Sequence, residues 1–182
     1  SVADPHLREL ADQTGQTATL AIQDGGDAVN IALAYSDRPI RRLTHVGERF
    51  ALNNASVGKA IAASLRDEEL ESVLGTADLV SSTTGSITKW ADFRAELQRI
   101  RDSGYAFDDE EAFAGIRCVG TVVRDYTGRT VGAISVAGAA GEYIGEALAG
   151  YIERVQQAAS DVSAELGYVE PDAPASDESA DS

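Results

Sequence analysis

One cysteine, two histidines and two lysines among 182 residues remove several chemistries at the outset. Cys118 has no second cysteine to pair with, so no internal disulfide forms, and with only His6 and His45 beside it no zinc-spaced cluster exists. A reducing cytoplasm is therefore the expected location. No apolar run approaches the roughly 18 residues of a membrane span, and the opening SVADPHLREL has neither the basic start nor the apolar stretch of a signal peptide. Bases are scarce as well: 15 against 30 acids, a formal charge of -15, leaves no basic patch for a phosphate backbone. Apart from Lys59 and Lys89 the basic side chains are arginines, and acids occur in every segment. That balance predicts a halophilic cytosol, where surplus carboxylates keep the surface hydrated and salt screens their repulsion.

Catalytic signatures are missing too. There is no GxSxG elbow, no HExxH and no paired-histidine metal motif. Val57-Gly58-Lys59-Ala60 is a fragment of a phosphate loop, but Asn53 stands where its first glycine belongs and Ala60 where a magnesium-binding Ser or Thr belongs. The reading is a protein with no catalytic residues, no metal and no cofactor.

What is present is enough apolar material, 43%, for one domain with a real core. Asp4 and Pro5 look like the cap and first position of a helix whose Leu7, Leu10 and Ala11 form a stripe before Gly15. Thr17 to Gln23 and Ala28 to Tyr35 read as strands joined by the turn residues of Asp24 to Asp27, and a weaker strand is expected from Ile40 to Val46. Asn53 or Asn54 is the expected cap of a helix burying Ala60, Ile61 and Leu65, and Asp67 the cap of a short helix ending at Gly75. Trp90, Phe93, Leu97 and Ile100 recur at helical spacing, with Gly104 at the C-cap. Ile116 to Arg124 and Thr130 to Ala137 form a second hairpin around Asp125 to Arg129, and a stripe from Ile144 to Leu166 marks a long closing helix. The sum is an α+β fold with a central antiparallel sheet and helices packed on it. The folded domain is expected over residues 1–168; residues 169–182, acidic and aperiodic, read as a disordered tail.

Polar residues within strand-like runs are the candidate site. Asp108 to Glu111 is a four-acid run in which Glu110 and Glu111 are expected to face water. Cys118 reads either as a small core residue or as a thiol facing a ligand. Ser135 lies between Ile134 and Val136, so if those face the core it faces a pocket or solvent, with the small Ala133 and Ala137 on its side leaving room. A small polar ligand would need such volume with a few convergent polar groups.

The order LRELADQTGQTATLAI, ASVGKAIAASL, GYAFDDEEAFAGIRCVGTVVRD and GAISVAG resembles the effector-binding half of IclR-type transcriptional regulators, from Leu7 to about Gly167. The resemblance implies a GAF-like domain whose pocket takes small organic acids, aromatics or sugar-derived metabolites. Ser56, Val57, Asp108, Cys118, Ser135 and Ala137 would line it. Ala137 stands where several relatives carry a second serine, and Asp108, disfavoured beside an anionic ligand unless protonated or hydrogen-bonded, would be partly structural. The resemblance also implies a homodimer or homotetramer that contacts DNA only through an N-terminal winged helix-turn-helix. Nothing before Leu7 encodes one, which with the lack of an initiating methionine reads as truncation. Two rival readings are a thiol-dependent enzyme acting on oxidised methionine through Cys118, and an architectural dimerisation domain without a ligand.

Overall fold

Two hairpins laid side by side build the sheet. The computed structural model describes residues 1–172. In the first hairpin β1 (Thr17–Asp24) and β2 (Asp27–Ala34) meet at Gly25, whose φ of 60° suits a glycine. In the second, β5 (Ile116–Arg124) and β6 (Thr130–Ala139) turn where Thr127 donates its N–H to the Asp125 side chain. Short strands β3 (Arg49–Ala51) and β4 (Ala106–Asp109) close the two edges. The order is β3-β2-β1-β6-β5-β4, and the pairings are antiparallel throughout.

Strand alternation sends side chains into two layers. Ala18, Val119, Ile134 and Val136 pack under α1 (Asp4–Thr14) and α5 (Gly145–Glu165). Ala21, Ala28, Ala106 and Ala133 face α2 (Ser56–Ala63), α3 (Asp67–Leu74) and α4 (Trp90–Ser103). Ile134 and Val136 are thus core, and Ser135 takes the opposite face. Helix α2 is buried along its whole length and needs two glycines to sit so low. A Cβ on Gly58 would lie 2.7 Å from the Ala51 carbonyl oxygen, and one on Gly120 3.0 Å from the Ser56 hydroxyl.

Several local expectations are corrected. The segment from Ile40 to Val46 is not a strand: Ile40, Leu43 and Val46 are exposed, and β3 forms later, at Arg49. Neither Asn53 nor Asn54 caps α2, whose N-cap is Ala55; their amides instead bond the Val80 and Ile87 carbonyls and the Ser82 hydroxyl. Asp4 and Asp67 are first helical residues, behind Ala3 and Arg66. Ile144, the first residue of the predicted closing stripe, is exposed. Most of the expected acidic tail lies outside the described residues.

Candidate ligand-binding site

The register lays two rows of side chains across the face under α2. Thr17, Ala137, Cys118 and Asp108 are successive cross-strand neighbours on β1, β6, β5 and β4. Beside them run Thr19, Ser135, Gly120 and Ala106. Thr19 and Ser135 share a hydrogen bond of 2.9 Å between their hydroxyls. The second row has no side chain at Gly120, and Ser56 at the start of α2 enters that gap.

Loops close the trough on the other side. Arg42 and Thr44 come from the segment before β3, and Ala112 and Phe113 from the loop between β4 and β5. The loops are pinned together by Phe113, which meets the Phe50 ring edge-on at 6.3 Å and stacks under the Arg42 guanidinium at 4.8 Å. The Arg42 guanidinium also pairs with Glu48 at 3.2 Å. The enclosed space is about 420 Å³ including its mouth, and Ser56, Val57, Asp108, Cys118, Ser135 and Ala137 all line it. Much of that volume belongs to the mouth and the interior is narrow, so a ligand of several heavy atoms requires the walls to give way.

Residues 1–164 match the family described as the bacterial transcriptional regulator IclR C-terminal domain. The chain belongs to the IclR family. It is 30% identical over 167 residues to the HTH-type transcriptional repressor AllR of Escherichia coli K12, a match spanning 92% of this chain and 62% of that protein. Among solved structures it resembles the Thermotoga maritima IclR, at 32% identity and a TM-score of 0.85, over 92% of this chain and 68% of that one. It also resembles the C-terminal domain of E. coli KdgR, at 28% identity and a TM-score of 0.81, over 92% and 97% of the two chains. The six-stranded antiparallel sheet with flanking helices is the fold of these IclR domains.

At its β4 end the cavity of this IclR domain holds a buried carboxyl and a thiol side by side. Asp108 is buried; its Oδ1 accepts the Glu111 N–H at 2.8 Å, while Oδ2 accepts no N–H or O–H from the described residues. Burial pushes its carboxyl up to about 7, with the Glu111 charge adding to the rise and the Glu111 N–H, Lys59 and a hydrogen bond from the Cys118 thiol opposing it. Next to it the Cys118 thiol is held well above its ordinary range, chiefly by burial and then by the Asp108 charge. Cys118 is therefore a thiol rather than a thiolate at neutral pH. It is half-buried and lines the cavity.

The expectation that Glu110 and Glu111 face water fails for Glu111 and holds only in part for Glu110. Glu111 is only 5% exposed because the wholly buried Lys59 ammonium reaches its Oε2 at 3.0 Å. Lys59 also donates to the Phe107 carbonyl and lies 3.5 Å from Glu96. Burial raises the Glu111 carboxyl despite Lys59. Glu110 is half-buried, and its carboxylate accepts the Gly115 N–H at 2.7 Å.

The six expected residues leave out Asn30, Thr19, Arg42 and Phe113, which also line the cavity. Asn30 carried a legible signal as the one polar residue inside the run AVNIALA. Arg42 and Phe113 lie in loops, where no periodicity reveals which way a side chain points.

Proposed function

We propose that this chain is the small-molecule-sensing and self-associating module of an IclR-type transcriptional regulator. In this reading a small organic acid or related metabolite occupies the cavity and shifts the DNA-binding state of a regulator whose DNA-reading domain lies outside this chain. The chain spans 62% of the length of its AllR relative. Ser56, Val57, Asp108, Cys118, Ser135 and Ala137 are the proposed ligand contacts, and self-association takes the form of a dimer or tetramer. The observation that supports the reading is the polar lining of this narrow cavity, where the buried Asn30 Oδ1 has no partner among the described residues. An effector acts on the regulator only through unequal affinity for its two states. The thiol-enzyme reading loses ground because Cys118 is held protonated, and the similar curated proteins are transcriptional regulators.

Thermal unfolding against a panel of small organic, aromatic and sugar acids tests the proposal. A ligand that binds only the folded state stabilises it by about 2.7 kcal/mol at a hundredfold excess over its Kd. That shift should disappear in Ser135→Leu, whose side chain would occupy the cavity. No shift from any compound, with both proteins folded, would leave the ligand-free dimerisation domain as the better reading.

The composition further supports an origin in a high-salt cytosol, cytoplasmic and in a halophilic archaeon. Among the described residues no helix is long and apolar enough to cross a membrane. Raising KCl from about 0.1 M to about 2 M, which shortens the screening length from about 10 Å to a few Å, should raise the melting temperature. A flat or falling response would refute the high-salt origin.

A further inference from the structure

The cavity admits a ligand only if one of its walls gives way, and the walls are not fixed equally. One side is the sheet and another is the buried helix α2. The loop between β4 and β5 is fastened from three directions. Its Glu110 and Glu111 carbonyls accept the Thr83 and Ser86 hydroxyls at 2.6 and 2.7 Å, from the segment between α3 and α4. The Glu111 carboxylate is paired with buried Lys59, and the Glu111 N–H is bound to Asp108. Displacing this loop means breaking a buried ion pair.

Residues 39–46, between β2 and β3, are held differently. Their two ends are anchored: Arg38 by the Gly15 carbonyl and Glu142, and Gly47 by its N–H on the Asn30 carbonyl at 2.7 Å. Between the anchors Ile40, Leu43 and Val46 are 83, 64 and 61% exposed, so the segment buries little apolar surface of its own. Side-chain hydroxyls hold its backbone, Thr17 donating to the Arg42 carbonyl at 2.6 Å and Tyr35 to the Thr44 carbonyl at 2.5 Å. The Arg42 guanidinium reaches across to the Phe113 ring on the fixed loop and to Glu48 beyond the anchor. A segment with so few buried apolar contacts opens at a lower cost than its surroundings.

Beside the cavity lies a second chamber of about 430 Å³ including its mouth. Gln16, Arg38, Arg41 and Glu142 are among its walls, and it shares Thr17, Arg42, Ile116 and Ala137 with the cavity. Of these four shared residues, three belong to strands of the sheet and Arg42 alone to a loop.

We propose that residues 39–46 are the gate of the cavity and Arg42 is its latch. Small molecules pass from the outer chamber when Arg42 leaves Phe113 and Glu48, while the β4–β5 loop stays in place. The gate is the entry route for the proposed sensor and so rests on that reading, but its opening is measured without a ligand, so each can fail alone.

Cys118 is the one thiol of the chain and lines the cavity, so the rate at which iodoacetamide alkylates it, followed by mass spectrometry, reports opening. Arg42→Met keeps much of the side chain's bulk and removes both latch contacts. The Arg42 charge favours the Cys118 thiolate, so its loss alone slows alkylation, and a faster reaction reports the gate. Thr17→Val removes the hydroxyl that holds the Arg42 carbonyl with little change of shape. Each variant, folded by circular dichroism, should react at least about fivefold faster than the wild type. Thr83→Val, which loosens the opposite loop, should stay within about twofold because Lys59 still anchors that loop. Acceleration by Thr83→Val and by neither gate variant would place the gate in the β4–β5 loop and overturn the inference. Unchanged rates in all three would overturn it as well. Neither result touches the sensor reading, which fails only if the acid panel gives no shift.

Discussion

Lys59→Met should lower the stability of this domain by about 3–5 kcal/mol, the range for removing one partner of a buried ion pair. Lys59 is one of the largest fully buried side chains in the molecule. Its ammonium is the only cation within ion-pair distance of Glu111 among the described residues. Without it Glu111 becomes a buried carboxylate with Oε1 already unpartnered, and the Phe107 carbonyl loses its donor. Glu96 is better placed to survive, because it is more exposed and also pairs with Arg99. The double variant Lys59→Met, Glu111→Gln should recover more than half of the loss, since neutral groups cost less to bury than an unpaired charge. Urea unfolding followed by circular dichroism measures both. A single-variant loss under about 1 kcal/mol would mean that water reaches Glu111 and that the pair is not sealed.

Asp108→Asn should act in the opposite direction, stabilising the ligand-free domain at neutral and higher pH. The Asp108 carboxyl is raised from 3.8 to about 7 in the fold, so between these values the unfolded chain has released a proton that the folded chain retains. Stability then falls as pH rises through that window and levels off above about 7. A rise of about three pH units corresponds to at most about 4 kcal/mol. The asparagine variant lacks this term, and subtracting its stability curve from that of the wild type cancels the titration of the other acids. The difference should be near its minimum at about pH 4 and grow in favour of the variant up to about pH 8. A difference that does not change with pH would show that Asp108 ionises normally and is better solvated than its burial indicates.

The same two residues show what can be read from a linear chain. Both hairpins, the α4 stripe and the facing of Ser135 were legible because periods of 2 and 3.6 residues encode which side of an element is buried. All six proposed contacts fall on one cavity because a motif that keeps its spacing also keeps its register. The Lys59–Glu111 pair was not legible from charge statistics, which send a run of acids to the surface. Glu111 is drawn inward by a lysine 52 positions earlier, and nothing local to the acidic run records that partner. A lysine inside VGKAIAA, in a helix otherwise without charge, was the only sign that a counter-ion had to arrive from elsewhere. The misplaced strand at Ile40 to Val46 has a similar origin. Its apolar residues have the right composition, but β2 takes its edge pairing from Arg49–Ala51 instead.

The seam between β1 and β6 joins side chains 116 positions apart, as the Thr19–Ser135 contact shows. Each hairpin closes over a few residues, whereas this seam joins strands at opposite ends of a much longer stretch of chain, so its closure carries the larger loop entropy. The cavity straddles that seam, lined by Thr17 and Thr19 on β1 and Ser135 and Ala137 on β6. During synthesis the cavity therefore comes into being only after the last strand has emerged, and a nascent fragment ending before β6 lacks the surface proposed to bind a metabolite.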